Sequence, residues 1–226
     1  MTLAALGVLT LLAWTWLLAG AGMSDMGAGF ALTAAMWAAM MIAMMTPSAA
    51  PTVLLYARAQ RLNDYRARPP AGLFVAGYLL VWIAFAVIAA GLQLTLQRAA
   101  LASPMTMALT GARAAAIVMI LVGLYQLSPF KDACLGRCRS PAQFMSRHYR
   151  PGAAGALRLG LIHGAYCVGC CWLLMALLFV GGVMNLLWVA GLTLLVAAEK
   201  LLPHGRAIAH VSGVVLIGWG AGQLLL

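Results

Sequence analysis

Long hydrophobic runs, separated by short polar stretches, make up most of the chain. A run of about 17–25 apolar residues is long enough to cross the hydrocarbon core of a bilayer as one helix. The candidate segments are residues 3–20, 30–56, 73–96, 105–127, 159–180, 186–198 and 207–226. The pattern predicts an all-α fold, a polytopic transmembrane helix bundle that fills residues 1–226 as a single domain. We expect about seven helices, or six if the sixth segment is short or re-entrant.

Composition supports this prediction and excludes a soluble or disordered chain. Hydrophobic residues make up 65% of the sequence and charged residues only 8%. Soluble domains carry about 25% charged residues. A soluble fold of this length could not bury so much apolar surface, so the lipid bilayer is the expected surrounding.

The basic residues predict an orientation in the membrane. The net charge is +10, from 14 Lys and Arg against 4 Asp and Glu. Most basic residues follow the second, fourth and sixth apolar segments, and with seven spans these positions share one side. Short loops rich in Lys and Arg face the cytoplasm. This predicts a cytoplasmic N-terminus, a C-terminus on the opposite side, and no nucleic-acid partner.

The fifth apolar segment concentrates soft metal ligands on one helix face. The residues are His163, Cys167, Cys170 and Cys171. On an α-helix they project into an arc of about 100°. Thiolates and imidazole select copper(I), zinc or an iron–sulfur centre. His163 and Cys170 are separated by about 10 Å along the axis, so one ion cannot bind all four from a straight helix. We expect one ion to be bound by a neighbouring pair of these ligands, with the shell completed by another helix, or two ions to be bound in series.

A glycine pair on the same helix would allow such a shared site. Gly160 and Gly164 have the small-xxx-small spacing that allows close helix contact.

A methionine cluster in the second segment adds thioether sulfurs. Met40, Met41, Met44 and Met45 recur at helical spacing just before Pro47. Thioethers favour copper(I) over zinc as ligands. Methionine also fills apolar cores without any ligand role, and that interpretation stays open.

Two cysteines and one acid outside these clusters are secondary candidates. Cys134 and Cys138 lie in a basic stretch interpreted as a cytoplasmic loop, where they could form a metal or redox pair. Glu199 is the acidic residue at the edge of an apolar segment. It could neutralise Lys200 or act as an accessory metal ligand.

Several stretches together resemble a bacterial family of uncharacterised, predicted metal-binding integral membrane proteins. They are residues 40–51, 134–141, 163–185 and 199–203. The resemblance covers most of the chain. It implies a multi-pass protein of the bacterial inner membrane, with the C-terminus then periplasmic, and suspected metal binding.

The leading hypothesis is a metal-handling membrane protein. It would bind, deliver or transport copper, or alternatively zinc, through an inter-helix Cys/His/Met site. A metallochaperone, a membrane-complex partner or a second copy of the chain are the expected protein partners. One alternative is a quinone-linked thiol–disulfide oxidoreductase that uses the Cys167-x-x-Cys170 motif. The other is a structural subunit of a membrane complex. No catalytic residues are apparent, so the sequence leans away from an enzyme.

Overall fold

The computed structural model describes residues 2–20, 29–62 and 71–225. These residues form mainly helices, and the described part contains no β-strand beyond one isolated bridge between Ala102 and Leu109. The helices are α1 (Thr2–Leu18), α2 (Phe30–Leu62), α3 (Ala71–Arg98), α4 (Ala112–Gln126), α5 (Pro129–Arg139), α6 (Pro141–His148), α7 (Gly152–Ala176), α8 (Leu178–Gly181), α9 (Leu186–Leu201) and α10 (Gly205–Leu225). The predicted all-α helical bundle is confirmed.

Four helical stretches have the length and hydropathy to cross a bilayer. They are Phe30–Gln60, Ala71–Arg98, Gly152–Gly181 and Gly205–Leu225. Helices α4 and α5 reach this length and hydropathy only when they are taken together, and the chain bends by 63° between them. Helix α1 has 17 residues and α9 has 16, fewer than the roughly 20 that a perpendicular span needs. By length and composition, the described residues therefore contain four or five full-length apolar helices, fewer than the seven segments predicted.

Glycines bring α3 and α7 into close contact. Gly160 faces the backbone at Phe74 so closely that a Cβ atom there would overlap the Phe74 carbonyl oxygen. Gly164 lies against Val81, and Gly77 of α3 meets the backbone of α7 in return. The close contact predicted from Gly160 and Gly164 is confirmed, and α3 is the partner. Side chains of α3 therefore reach the cysteine face of α7.

The stretch around Cys134 is a helix and not the predicted loop; its cytoplasmic location stays a prediction. Pro129 cannot continue α4, because proline lacks a backbone N–H and disfavours helical geometry at the residue before it. Ser128 then caps the new helix, its side-chain oxygen accepting from the backbone N–H of Lys131 at 3.2 Å. The bend turns α5 back against α7. As a result, Cys138 of α5 faces Cys170 of α7.

Candidate metal centre

The predicted ligand face of α7 is buried. His163 is 3% exposed, and Cys167, Cys170 and Cys171 are each 1% exposed. All five cysteines of the chain are free thiols. This face therefore packs inside the bundle, and its free thiols are available as ligands.

Cys167 lies at the centre of a polar cluster in this interior. Its sulfur is 2.8 Å from the Lys200 ammonium and 3.1 Å from the Tyr78 hydroxyl. The ammonium is also 3.8 Å from the Cys171 sulfur and 3.4 Å from the Ser48 hydroxyl. Lys200 is buried, and none of the described carboxylates pairs with it. A buried ammonium needs an anionic partner to offset its desolvation cost, and thiolates at Cys167 and Cys171 can supply one.

Cys138 of α5 meets Cys170 of α7. Their sulfur atoms are 4.0 Å apart, about twice the length of a disulfide bond, which is about 2.05 Å. Two thiolates that share an ion are separated by at most about twice a metal–sulfur bond, which is about 2.3 Å for zinc. The Cys138–Cys170 separation therefore suits a shared metal ion. Cys134, the partner expected for Cys138 from the spacing, instead packs against Gly169.

His163 has an unpartnered ring nitrogen. Its Nδ1 atom is buried and has no hydrogen-bond partner among the described residues. The rings of Phe74, Tyr78 and Phe144 surround the imidazole, with centroids 5.2–5.8 Å away. Buried polar atoms are normally satisfied, so this nitrogen is free to bind a ligand.

Tyr78 connects the methionine cluster to the thiols. Its hydroxyl group donates to the Met45 carbonyl oxygen at 3.0 Å and is also within hydrogen-bond distance of the Cys167 sulfur. The four candidate methionines, Met40, Met41, Met44 and Met45, are all at most 1% exposed. The Tyr78 hydroxyl thus links the backbone of Met45, one of the cluster, to the Cys167 sulfur.

The thiols form pairs rather than a single compact cage. Within the described residues, no group of three His, Cys, Asp or Glu side chains is arranged to hold one ion. This agrees with the helical spacing, which does not let one ion bind all four α7 residues.

Glu199 does not neutralise Lys200, and that interpretation is wrong. Its Oε2 atom accepts from the Lys131 ammonium at 2.6 Å, and its Oε1 atom accepts from the Gln126 amide at 2.8 Å. Gln126 also donates to Ser212 at 2.7 Å. Neighbouring helical residues point about 100° apart, so Glu199 faces α4 and α5 while Lys200 faces the thiols. An accessory metal role for Glu199 stays a prediction.

Sequence reasoning missed three residues of this centre: Lys200, Tyr78 and Ser48. Lys200 follows the sixth apolar segment, and the charge pattern there predicts the cytoplasmic side of the membrane, whereas the structure buries its side chain. Its position at the end of an apolar segment, one residue after Glu199, was the available signal. Tyr78 and Ser48 are polar residues within apolar runs, and nothing local in the sequence links them to Cys167.

Fold and site together define an all-α protein with long apolar helices and a buried, thiol-rich centre. The chain belongs to a copper-chaperone family, PpoB2, whose model matches residues 34–223. The matched region includes every candidate ligand and all helices from α2 to α10 except the first turn of α2 and the end of α10. This is a metal-related family, as the resemblance implied. No curated protein and no solved structure matches the chain.

Proposed function

We propose that this protein is a membrane-embedded copper chaperone, which binds copper(I) through thiol pairs and passes it to a partner protein. One observation carries the proposal. Cys138 and Cys170, on facing helices, bring their free thiols to 4.0 Å beside two further buried thiols, Cys167 and Cys171. Membership in the copper-chaperone family supports the choice of metal.

The pairwise arrangement favours copper(I) over zinc. Structural zinc sites almost always use four protein ligands in a tetrahedron, whereas copper(I) is stable with two thiolates. Soft thiolate and thioether ligands also select copper(I). Cys138 and Cys170 would form the outer pair, and Cys167 and Cys171 would form an inner group. His163 and the methionines at positions 40, 41, 44 and 45 would provide further copper ligands along the transfer path.

Lys200 supplies the charge balance that such a centre needs. Copper(I) bound by two thiolates carries a net negative charge, which is costly in a buried site without a counter-ion. The Lys200 ammonium, 2.8 Å from Cys167, neutralises that charge.

The proposed setting is the bacterial inner membrane, with α5 and α6 at the cytoplasmic face. The basic residues of α5 and α6 support this orientation, because Lys and Arg accumulate on the cytoplasmic side. Copper(I) would then enter near Cys138 and move towards the interior of the bundle. A metallochaperone or a membrane-complex subunit would be the partner in delivery.

Copper(I) titration of the purified protein under reducing conditions tests the proposal. A chelator of known affinity would compete for the ion, and bound copper would be measured after desalting. We expect tight binding to wild-type protein and loss of the outer site in Cys138→Ser and Cys170→Ser. Cys134→Ser is the matched control, because Cys134 lies on the same helix but packs against Gly169. Wild-type protein that takes up no copper(I), or serine variants with unchanged stoichiometry and affinity, would refute the proposal.

A further inference from the structure

A small basic pocket opens between α5, α6 and α7. It has a volume of about 150 Å³, and its lining includes Arg137, Gln143, Phe144, Arg147, His148 and Tyr166. Both arginines are exposed, so their guanidinium groups can reach a bound molecule. The pocket therefore presents several hydrogen-bond donors around one cavity.

The described acidic side chains do not neutralise this pocket. Asp132 lies 3.5 Å from His210, and Glu199 is paired with Lys131. Inside the pocket the charged groups contact aromatic rings instead: the Arg137 guanidinium lies 4.7 Å from the Tyr166 ring centroid. A concave site with positive charge and no nearby carboxylate attracts anions.

The pocket borders the thiol centre. Arg137 precedes Cys138 in the chain, and Tyr166 precedes Cys167. The Phe144 ring, which forms part of the lining, is 5.2 Å from the His163 ring. Cys138 is also the one partly exposed cysteine of the five. A molecule held in this pocket would therefore lie beside the most accessible thiol.

We propose that this pocket docks a small anionic thiol that carries copper(I), and that Cys138 accepts the ion from it. This inference rests on the proposed function. Arg137 and Arg147 would bind carboxylates of the carrier, for which the planar guanidinium group is well suited. In the transfer step the copper–sulfur bond to the carrier breaks as a bond to the Cys138 sulfur forms. Copper stays in the +1 state, and the proton of the Cys138 thiol leaves with the released carrier.

Transfer kinetics with two carriers test this proposal. Copper(I) would be presented to the purified protein either as its complex with reduced glutathione, an anionic thiol, or as its cationic acetonitrile complex. The variant is Arg137→Gln/Arg147→Gln. Loss of charge-assisted hydrogen bonds should slow transfer from glutathione roughly tenfold or more. Transfer from acetonitrile and the final copper content should stay at wild-type levels, which also shows that the variant is folded.

Two controls make the result specific. Arg158→Gln removes an exposed arginine of α7 that does not line the pocket, and it should leave both rates unchanged. S-methylglutathione, which has the carboxylates but neither a free thiol nor a disulfide that could oxidise Cys138, should compete with the glutathione complex, whereas inorganic phosphate at equal ionic strength should not.

The possible failures separate the two proposals. Equal glutathione rates in wild type and the double variant, with normal copper content, would overturn the docking pocket alone. An equal slowing by Arg158→Gln would also overturn it, because the effect would then reflect overall charge. A wild-type protein that accepts copper(I) from neither carrier would overturn the proposed function and the pocket together.

Discussion

At the scale of single residues, Lys200 determines the electrostatics of the thiol centre. It is a buried cation whose described neighbours are the sulfur atoms of Cys167 and Cys171 and the Ser48 hydroxyl. Cations desolvated in a protein interior are retained only when anionic or strongly polar groups compensate them. Thiolates, and the anionic copper–thiolate centre proposed above, are the groups in a position to do so.

Removal of this charge should weaken copper binding. In Lys200→Met the copper–thiolate centre would lose its counter-ion and its hydrogen bond. A hydrogen bond to a charged group contributes about 1.5–3 kcal/mol, so the affinity for copper(I) should fall roughly 10- to 100-fold. Chelator competition measures this value. Lys200→Arg, which keeps the charge, should lose less, and equal affinities in wild type and Lys200→Met would contradict the assigned role.

The residue-level prediction from sequence was correct where it depended on local helical spacing. The clustering of His163, Cys167, Cys170 and Cys171 on one helix face follows from about 3.6 residues per turn, and the structure shows that this face is buried. The pairing of Cys138 with Cys170 joins α5 to α7 across the short α6 and depends on the bend that turns α5 against α7, so spacing alone could not identify it. Local spacing also could not predict the Lys131–Glu199 ion pair, because its two residues lie 68 positions apart.

At the scale of helices, two sets of interactions position the thiol centre. The first is the glycine contact between α3 and α7, which brings Tyr78 to Cys167. The second is the buried network of Gln126, Lys131 and Glu199, which fastens α5 to α4 and α9. The long apolar helices were predictable from their hydrophobic runs. Helix α5 was not, because it has only 11 residues and low hydrophobicity; the Ser128–Pro129 pair was its only clear signal.

A methyl group at the α3–α7 contact should destabilise the protein. In Gly160→Ala the new Cβ would overlap the Phe74 carbonyl oxygen, and the helices would have to separate. Overpacking of this kind costs about 1–3 kcal/mol, measurable by thermal unfolding in detergent. The control is Gly218→Ala in α10, where a Cβ meets nothing within 4 Å; there alanine should be neutral or stabilising. Equal stability of the two variants would contradict the close contact.

Loss of the Glu199 carboxylate should lower the free energy of unfolding more than the Gly160→Ala substitution does. Glu199→Ala leaves the fully buried Lys131 ammonium without its ion-pair partner. Breaking a buried pair in this way costs about 3–5 kcal/mol. The double variant Lys131→Met/Glu199→Leu removes both charges and should recover most of the stability, again by thermal unfolding. If the double variant is as unstable as Glu199→Ala, an uncompensated charge is not the cause.

At the scale of the whole molecule, the proposed orientation makes a direct prediction. Short loops rich in Lys and Arg should be cytoplasmic, which puts α6 inside and the α3–α4 connection outside. A cysteine at Ser146 of α6 and one at Leu101 after α3 would report the two sides, since both positions are exposed. With Cys138 replaced by serine, a membrane-impermeant thiol reagent should label Leu101→Cys in intact cells and Ser146→Cys only after permeabilisation. The reverse pattern would contradict the orientation and the cytoplasmic entry of copper.

X-ray absorption spectroscopy of the copper-loaded protein tests the central claim most directly. A centre built on Cys138 and Cys170 should hold copper in the +1 state with a first shell dominated by sulfur. The sulfur contribution from this pair should be lost in Cys138→Ser/Cys170→Ser and kept in Cys134→Ser. Copper(II), or a first shell of only nitrogen and oxygen in the wild-type protein, would contradict a thiol-based copper centre.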